Sequence, residues 1–187
     1  MLPDIEYPNI KIWDNRIDDE FIFQKDKESD YYSWQYNNKA NPNSFPNNTK
    51  GTHLFWSVTS FPSKKTLDEY ISLAQYCSTH LIKKDIQVNS IFLNGQFIGQ
   101  DGTSHQDLKA DLKNQKTLMV YLNYFWQKEW GGDFQVLKEQ SNNSEVIHSI
   151  EYRPGRIIYF DSSLHHRGLA PKTAGVFRKS LVYRIQV

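Results

Sequence analysis

Hydrophobic and polar positions along this chain fall into short runs rather than long periodic stretches, and most of the runs read as strands. Thr117-Leu118-Met119-Val120-Tyr121-Leu122-Asn123 is the firmest, a continuous apolar run of strand length. Leu54 to Val58, ending before Pro62, reads the same way. So do Ile86 to Asn94, Asp133 to Leu137, the alternating Val146 to Tyr152, Arg156 to Phe160 and Phe177 to Val187. Gly95 to Gly102 must turn, and Gln140 to Asn143 and Pro154-Gly155 supply further turns. One segment has a helical period. Thr66-Leu67-Asp68-Glu69 fits a capping box with Thr66 as N-cap and Glu69 at N3. Leu67, Tyr70, Ile71, Ala74, Cys77 and Leu81 then recur at helical spacing, and Cys77 on that stripe reads as a small buried hydrophobe rather than a reactive thiol. Residues 1–36 mix charges with Trp13, Phe21, Phe23, Tyr31, Tyr32 and Trp34, which predicts short strands or an irregular wrapping segment rather than a strong helix. Residues 37–50, rich in Asn, Pro and Ser, predict a surface loop, with a lid over a cleft as the less favoured reading. Many short strands behind one helix favour a closed or double-sheet β architecture over βαβ repeats.

Composition narrows the class. At 187 residues the chain predicts a single domain over 1–187, with 1–60 as a variable wrapping segment and 86–187 as the core. The formal charge is +1, without a dense basic block, so no nucleic-acid partner is expected. Cys77 is the one cysteine, which excludes a disulfide-stapled scaffold. No signal segment and no membrane-spanning run is visible, so a cytoplasmic protein without a membrane partner is expected. Oligomeric state is not legible.

Chemistry enters with two short stretches. His105 and Asp107 are two apart, so in extended chain both side chains share a face and can hold one ion. Alone the dyad is weak, because such spacing is common. A second imidazole from His166, late in the strand series, would complete a 2-His-1-carboxylate facial triad suited to Fe(II) with open coordination positions. His165 is adjacent, and only one of the pair can face inward. Arg178 and Ser180 again share a face of the last strand, with Val182 as apolar wall. An inward guanidinium needs an anion. Spacing leaves two equal choices: a cosubstrate carboxylate, or a protein carboxylate near the rim.

The ordered set His105-Gln106-Asp107, Val120-Tyr121-Leu122-Asn123, Trp130-Gly131-Gly132-Asp133, Pro154-Gly155-Arg156, His166-Arg167-Gly168 and Arg178-Lys179-Ser180-Leu181 resembles the 2-oxoglutarate- and Fe(II)-dependent dioxygenases. The likeness is to their small microbial and viral prolyl-4-hydroxylase-like branch. It runs from about Ile86 to the C-terminus and implies a mainly β fold, a double-stranded β-helix (jelly roll) with a supporting N-terminal helix layer. It implies His105, Asp107 and His166 as the catalytic iron ligands and favours His166 over His165. It implies Arg178 and Ser180 on the C5 carboxylate of 2-oxoglutarate, with Tyr121 donating to it and Asn94 as a weaker cosubstrate contact. Asp133 and Phe134 stand where relatives usually have Glu and Thr.

The implied activity is hydroxylation of an unactivated C–H bond, with Fe(II), 2-oxoglutarate and O2 consumed to give succinate and CO2, and ascorbate as an optional reductant. A peptidyl proline or similar amino-acid side chain is the default substrate, with other small molecules open. Gln96, Gln100, Asp101, Trp126 and Arg167 are the candidate substrate contacts. The competing class is a non-catalytic metal-binding jelly-roll or cupin-like protein, which would have no need of an inward Arg178.

Overall fold

The computed structural model describes residues 1–38, 54–108, 113–141 and 143–187. The strands are β1 (Ile5–Tyr7), β2 (Ile10–Trp13), β3 (Gln35–Asn38), β4 (Phe55–Val58), β5 (Gln87–Gln96), β6 (Gln115–Tyr121), β7 (Phe134–Leu137), β8 (Val146–Ile150), β9 (Ile157–Asp161), β10 (His165–Gly168) and β11 (Arg178–Gln186). They form an 8-stranded sheet of order β1-β2-β9-β6-β11-β5-β4-β3 and a 3-stranded sheet of order β10-β7-β8. All pairings are antiparallel. Two helices, α1 (Asp19–Ser29) and α2 (Lys64–Tyr76), accompany them, and α2 continues as a π-helical turn over Cys77–Ile82. This is the expected mainly β, jelly-roll-like architecture.

Side-chain alternation explains why the large sheet reads as continuous apolar runs. On β11, Leu181, Tyr183 and Ile185 pack with Tyr70, Leu73, Ala74, Cys77 and Leu81 of the helical layer. Val182 packs on the other side, with Phe134 and Val136 of the small sheet. β6 and β9 divide the same way: Leu118, Val120, Ile157 and Tyr159 face the helices, whereas Met119, Tyr121, Ile158 and Phe160 face the small sheet. A sheet covered on both faces has no polar side to alternate with. Cys77 is buried in the helix-side core, and that burial pushes its thiol up to about 12, as expected of a packing residue.

Three expectations change. Residues 19–29 form a helix, α1, within the stretch read as irregular. Asp18 caps it, accepting from the Glu20 and Phe21 amides, but its buried residues are Ile22, Lys25 and Ser29. A face with one hydrophobe in three carries no apolar period to detect. Buried lysines dock it instead. Lys25 reaches Glu28 at 2.7 Å and Glu69 of α2, and Lys179 of β11 meets Asp26 at 2.6 Å and Asp30 at 2.5 Å. The N-cap of α2 is Ser63, not Thr66: Ser63 Oγ accepts from the Thr66 amide, and Glu69 turns to Lys25. Asn37 and Asn38 belong to β3, and the rest of the expected 37–50 loop lies outside the described residues. Among the described residues, no helix is long and apolar enough to cross a membrane.

A long-range ion pair closes the sheet at the β2 end. Arg156, buried, directs Nε and Nη2 to the two Asp14 carboxylate oxygens, each at 2.7 Å, and Nη1 to the Glu151 carbonyl at 2.8 Å. Asp14→Ala leaves that guanidinium without its counter-charge. It is expected to cost about 3 kcal/mol, read as a lowered urea midpoint at unchanged slope.

Candidate active site

Between the two sheets lies a cavity of about 350 Å³, at the small end of ligand sites. The same alternation that sends Leu181 and Tyr183 to the helices sends Arg178, Ser180, Val182 and Arg184 into this cavity. Antiparallel register sets Asn94 opposite Ser180 and Gln96 opposite Arg178 on β5, and Thr117 opposite Arg184 on β6. After β5 the chain turns at Phe97–Gln100 and runs back alongside β10. The His105 amide donates to the His166 carbonyl at 3.0 Å and the His166 amide to the His105 carbonyl at 2.9 Å. Those two bonds place side by side imidazoles that are far apart in sequence.

His105, Asp107 and His166 converge with ligand atoms all within 4.8 Å of one another. His105 Nε2 lies 3.6 Å from Asp107 Oδ1, and His166 Nε2 lies 3.6 Å from Asp107 Oδ2. Each imidazole is oriented by its own backbone: Nδ1 of His105 meets the Thr103 carbonyl at 2.9 Å and Nδ1 of His166 the Leu164 carbonyl at 2.8 Å. A carbonyl only accepts, so both Nδ1 atoms carry a proton and both Nε2 atoms are turned to the carboxylate. Burial, then the neighbouring His105, hold His166 down at about 4, against the pull of Asp107. His166 is therefore neutral and ready to ligate at pH 7. Burial pushes the Asp107 carboxyl up, but His166, His105, Arg184 and the Thr117 hydroxyl outweigh it and hold the group below the ordinary carboxylate range. Two imidazoles and a carboxylate on one face are the donor set of a divalent transition metal.

His165 alternates away from the cavity, paired across to Leu137. Arg178 is 2 % exposed. Its Nε donates to the Gly132 carbonyl at 2.8 Å and Nη1 to Gln96 Oε1 at 2.9 Å, with Ser180 Oγ at 3.5 Å. Its guanidinium carbon sits over the rings of Tyr121 and Tyr152 at 5.2 and 5.3 Å. Among the described residues its Nη2 has no partner, and no protein carboxylate meets the guanidinium. Of the two choices left by spacing, the rim carboxylate is not found among the described residues. Gly132 (φ +85°) and Gly168 hold the backbone against this side chain: a Cβ at 132 would stand 3.2 Å from Arg178 Cδ and one at 168 3.6 Å from Nη2.

The other expected contacts divide between the cavity wall and positions away from it. Tyr121 does not line the cavity; its hydroxyl reaches the Ile150 carbonyl at 3.5 Å. Asn94 lines it. Gln96 lines it too, but as a partner of Arg178, not at an open mouth. Gln100, Asp101, Trp126 and Arg167 do not line it. Gln100 Oε1 accepts from the Phe97 amide at 2.7 Å and Asp101 Oδ1 from the Ala170 amide at 2.7 Å, so both shape the turn. Trp126 donates to the Gly131 carbonyl at 2.9 Å and packs on Tyr152, and Arg167 donates to Gln135 at 2.9 Å. Asp133, at the position of a usual Glu, accepts from Ser149 Oγ at 2.8 Å, and Phe134 packs against His166 and Phe160.

Two site residues escaped the sequence reading. Thr117 Oγ1 donates to Asp107 Oδ2 at 2.8 Å and Arg184 Nη2 to Oδ1 at 2.7 Å, so both carboxylate oxygens are held. The signal for Arg184 was present: it continues the inward alternation Arg178, Ser180, Val182.

A family model described as the 2OG-Fe(II) oxygenase superfamily matches residues 87–185. Among solved structures, a prolyl-4-hydroxylase from Pseudomonas putida aligns with a TM-score of 0.63 at 16% identity, covering 95% of this chain and 92% of that one. A 2OG-Fe(II) oxygenase-family oxidoreductase from Burkholderia pseudomallei aligns at 0.69 with 12% identity, covering 95% and 85%. The viral collagen prolyl hydroxylase of Paramecium bursaria Chlorella virus-1 aligns at 0.60 with 13% identity, covering 96% and 97%. Identities this low show a shared fold. No curated protein sequence matches significantly.

Proposed function

Because the chain belongs to the 2OG-Fe(II) oxygenase superfamily and carries its 2-His-1-carboxylate triad, we propose that it is an Fe(II)- and 2-oxoglutarate-dependent hydroxylase. Its substrate on this reading is a peptidyl proline or a similar amino-acid side chain with an unactivated C–H bond. One observation carries the proposal beyond a metal site: the unpartnered, buried Nη2 of Arg178 in the wall of the triad's cavity. A buried guanidinium with a spare donor is costly unless an anion completes it. A metal-binding protein without redox turnover has no use for that donor, whereas a dicarboxylic cosubstrate does.

The residues fit both groups. His105, Asp107 and His166 would hold Fe(II) through two Nε2 atoms and a carboxylate oxygen. Arg178 would take the far carboxylate of 2-oxoglutarate in its planar fork, with the Ser180 hydroxyl and Asn94 beside it. When bound, iron and 2-oxoglutarate supply the oxidising chemistry, with O2 reduced and succinate and CO2 released. The protein contributes orientation and a dry wall. Gly132 and Gln96 fix the guanidinium, Thr117 and Arg184 fix the Asp107 oxygens, and Phe134, Phe160, Met119 and Val182 keep water from the cavity floor. Retention of Asp107 leaves no ligand position vacant for halide, which favours hydroxylation over halogenation.

Anaerobic titration of the protein with Fe(II) and then 2-oxoglutarate is expected to raise a visible charge-transfer band at one equivalent. Succinate release should then follow on admitting O2 with proline-containing peptides. Metal binding without that band would return the protein to the non-redox class.

A further inference from the structure

We infer that Arg184 reads a carboxylate on the substrate, so that the molecule oxidised is an amino-acid derivative carrying an anionic carboxyl group near its reacting carbon. This rests on the reading of the site proposed above. Arg178 and Arg184 lie six residues apart on one face of β11, a span of roughly 20 Å in extended chain. The two are not equivalent. Arg178 is shut in, whereas the Arg184 side chain is 30% exposed and lines the cavity with Ser90, Phe92 and Thr59. The closed end suits the cosubstrate and the open end the substrate.

Charge balance points to what arrives there. Among the described residues lining the cavity, Asp107 is the one carboxylate, and Arg178 and Arg184 are the two permanent cations. Together with Asp107 and the two arginines, a divalent ion and a dianionic cosubstrate make three negative charges against four positive. The uncompensated charge falls at Arg184, because the ion draws on the same Asp107 carboxylate that the guanidinium uses. A cation half-enclosed by protein gains from a second anion more than one in open water does. Arg184 directs Nη2 to Asp107 Oδ1 and Nη1 to the Asp107 carbonyl at 3.2 Å, which leaves donors of its five unspent. The Phe92 ring lies 5.7 Å below the guanidinium carbon and holds the fork across the cavity wall.

The test uses protein loaded with Zn(II) and 2-oxoglutarate, which binds without turnover. N-acetyl-L-amino acids and their matched amides are titrated by calorimetry. Free L-amino acids and the N-acetyl amides of aspartate and glutamate serve as further arms, separating a free amino acid, a chain-terminal carboxylate and a side-chain carboxylate. At least one carboxylate is expected to bind tenfold or more tightly than its uncharged partner. Arg184→Met should erase that ratio and Arg184→Lys restore part of it, with Zn(II) content measured in each variant. Arg184 acting only to hold Asp107 would lower Zn(II) content and leave the acid-to-amide ratio unmoved, which overturns the inference. Equal binding of acid and amide by the wild type, or no binding of any acid, overturns it as well. In those cases the Fe(II)–2-oxoglutarate band still forms and the proposed function stands; absence of the band removes both.

Discussion

His166→Ala abolishes iron-dependent turnover, while His165→Ala leaves it in place: that is the expected result for two neighbouring histidines on opposite faces of β10. His166 Nε2 faces Asp107 at 3.6 Å and its Nδ1 is fixed by the Leu164 carbonyl, whereas His165 pairs across to Leu137 away from the cavity. Removing a partner that merely orients a ligand typically costs about 10–100-fold in metal affinity. Removing the ligand itself should exceed that, so Fe(II) binding by His166→Ala is expected to weaken by more than about 100-fold. Calorimetric titration with Fe(II) under argon reads the affinity, and succinate release reads the turnover. The reverse pattern, with His165 essential, would sink the assignment.

Acid titration offers an independent check on the same side chain. His166 is held at about 4 in the folded protein, against about 6.5 for a free imidazole. Between those values the unfolded chain binds the extra proton and the folded chain does not, so stability of the metal-free protein rises with pH across that window. Asp107, held below its ordinary range, adds stability that is lost as pH falls through its folded value, in the same direction. His166→Ala should flatten the slope of melting temperature between pH 4 and 6.5, and His165→Ala should leave it steep.

What could be read from sequence follows from which contacts are local. The strand expected over 117–123 and found as β6, Gln115–Tyr121, was legible because both faces of the large sheet are apolar there. The triad was legible through the ordered set of motifs: the His105–Asp107 spacing alone was weak, and the resemblance supplied His166 over His165. Helix α1 was hidden because Lys25 and Ser29 occupy its buried face, and their partners Glu69 and Lys179 are supplied by remote segments. The α2 cap lies three residues earlier than the capping box suggests because Ser63 Oγ itself accepts from the Thr66 amide, while Glu69, the box's acid, pairs with Lys25 instead. Gln96 is a partner of Arg178 only through the β5–β11 register, which no short motif encodes. Gln100 and Asp101, in the run before the first ligand, bond within and across the turn, Trp126 bonds the Gly131 carbonyl and Arg167 bonds Gln135, partners that single residue types do not reveal.

Arg178→Met is expected to separate stability from function. The metal-free, cosubstrate-free protein carries a buried guanidinium with an unpaired Nη2 and, among the described residues, no carboxylate partner, beside the stacked rings of Tyr121 and Tyr152. An apolar side chain of similar length removes the unpaired charge but leaves the Gly132 carbonyl and Gln96 Oε1 without their donor, so the two effects offset and the variant should unfold close to the wild-type temperature. Its response to 2-oxoglutarate should all but vanish. Two charge-assisted hydrogen bonds at about 1.5–3 kcal/mol each correspond to a loss of roughly 100-fold or more in cosubstrate affinity. Fe(II) binding measured without 2-oxoglutarate should change little, because Arg178 touches none of the three ligands. Arg178→Lys keeps the charge but not the fork, and should fall between the two. A purely structural Arg178, bound to Gly132 and Gln96 for the sake of the fold, predicts the opposite pairing. Arg178→Met would then melt early and keep its 2-oxoglutarate requirement unchanged.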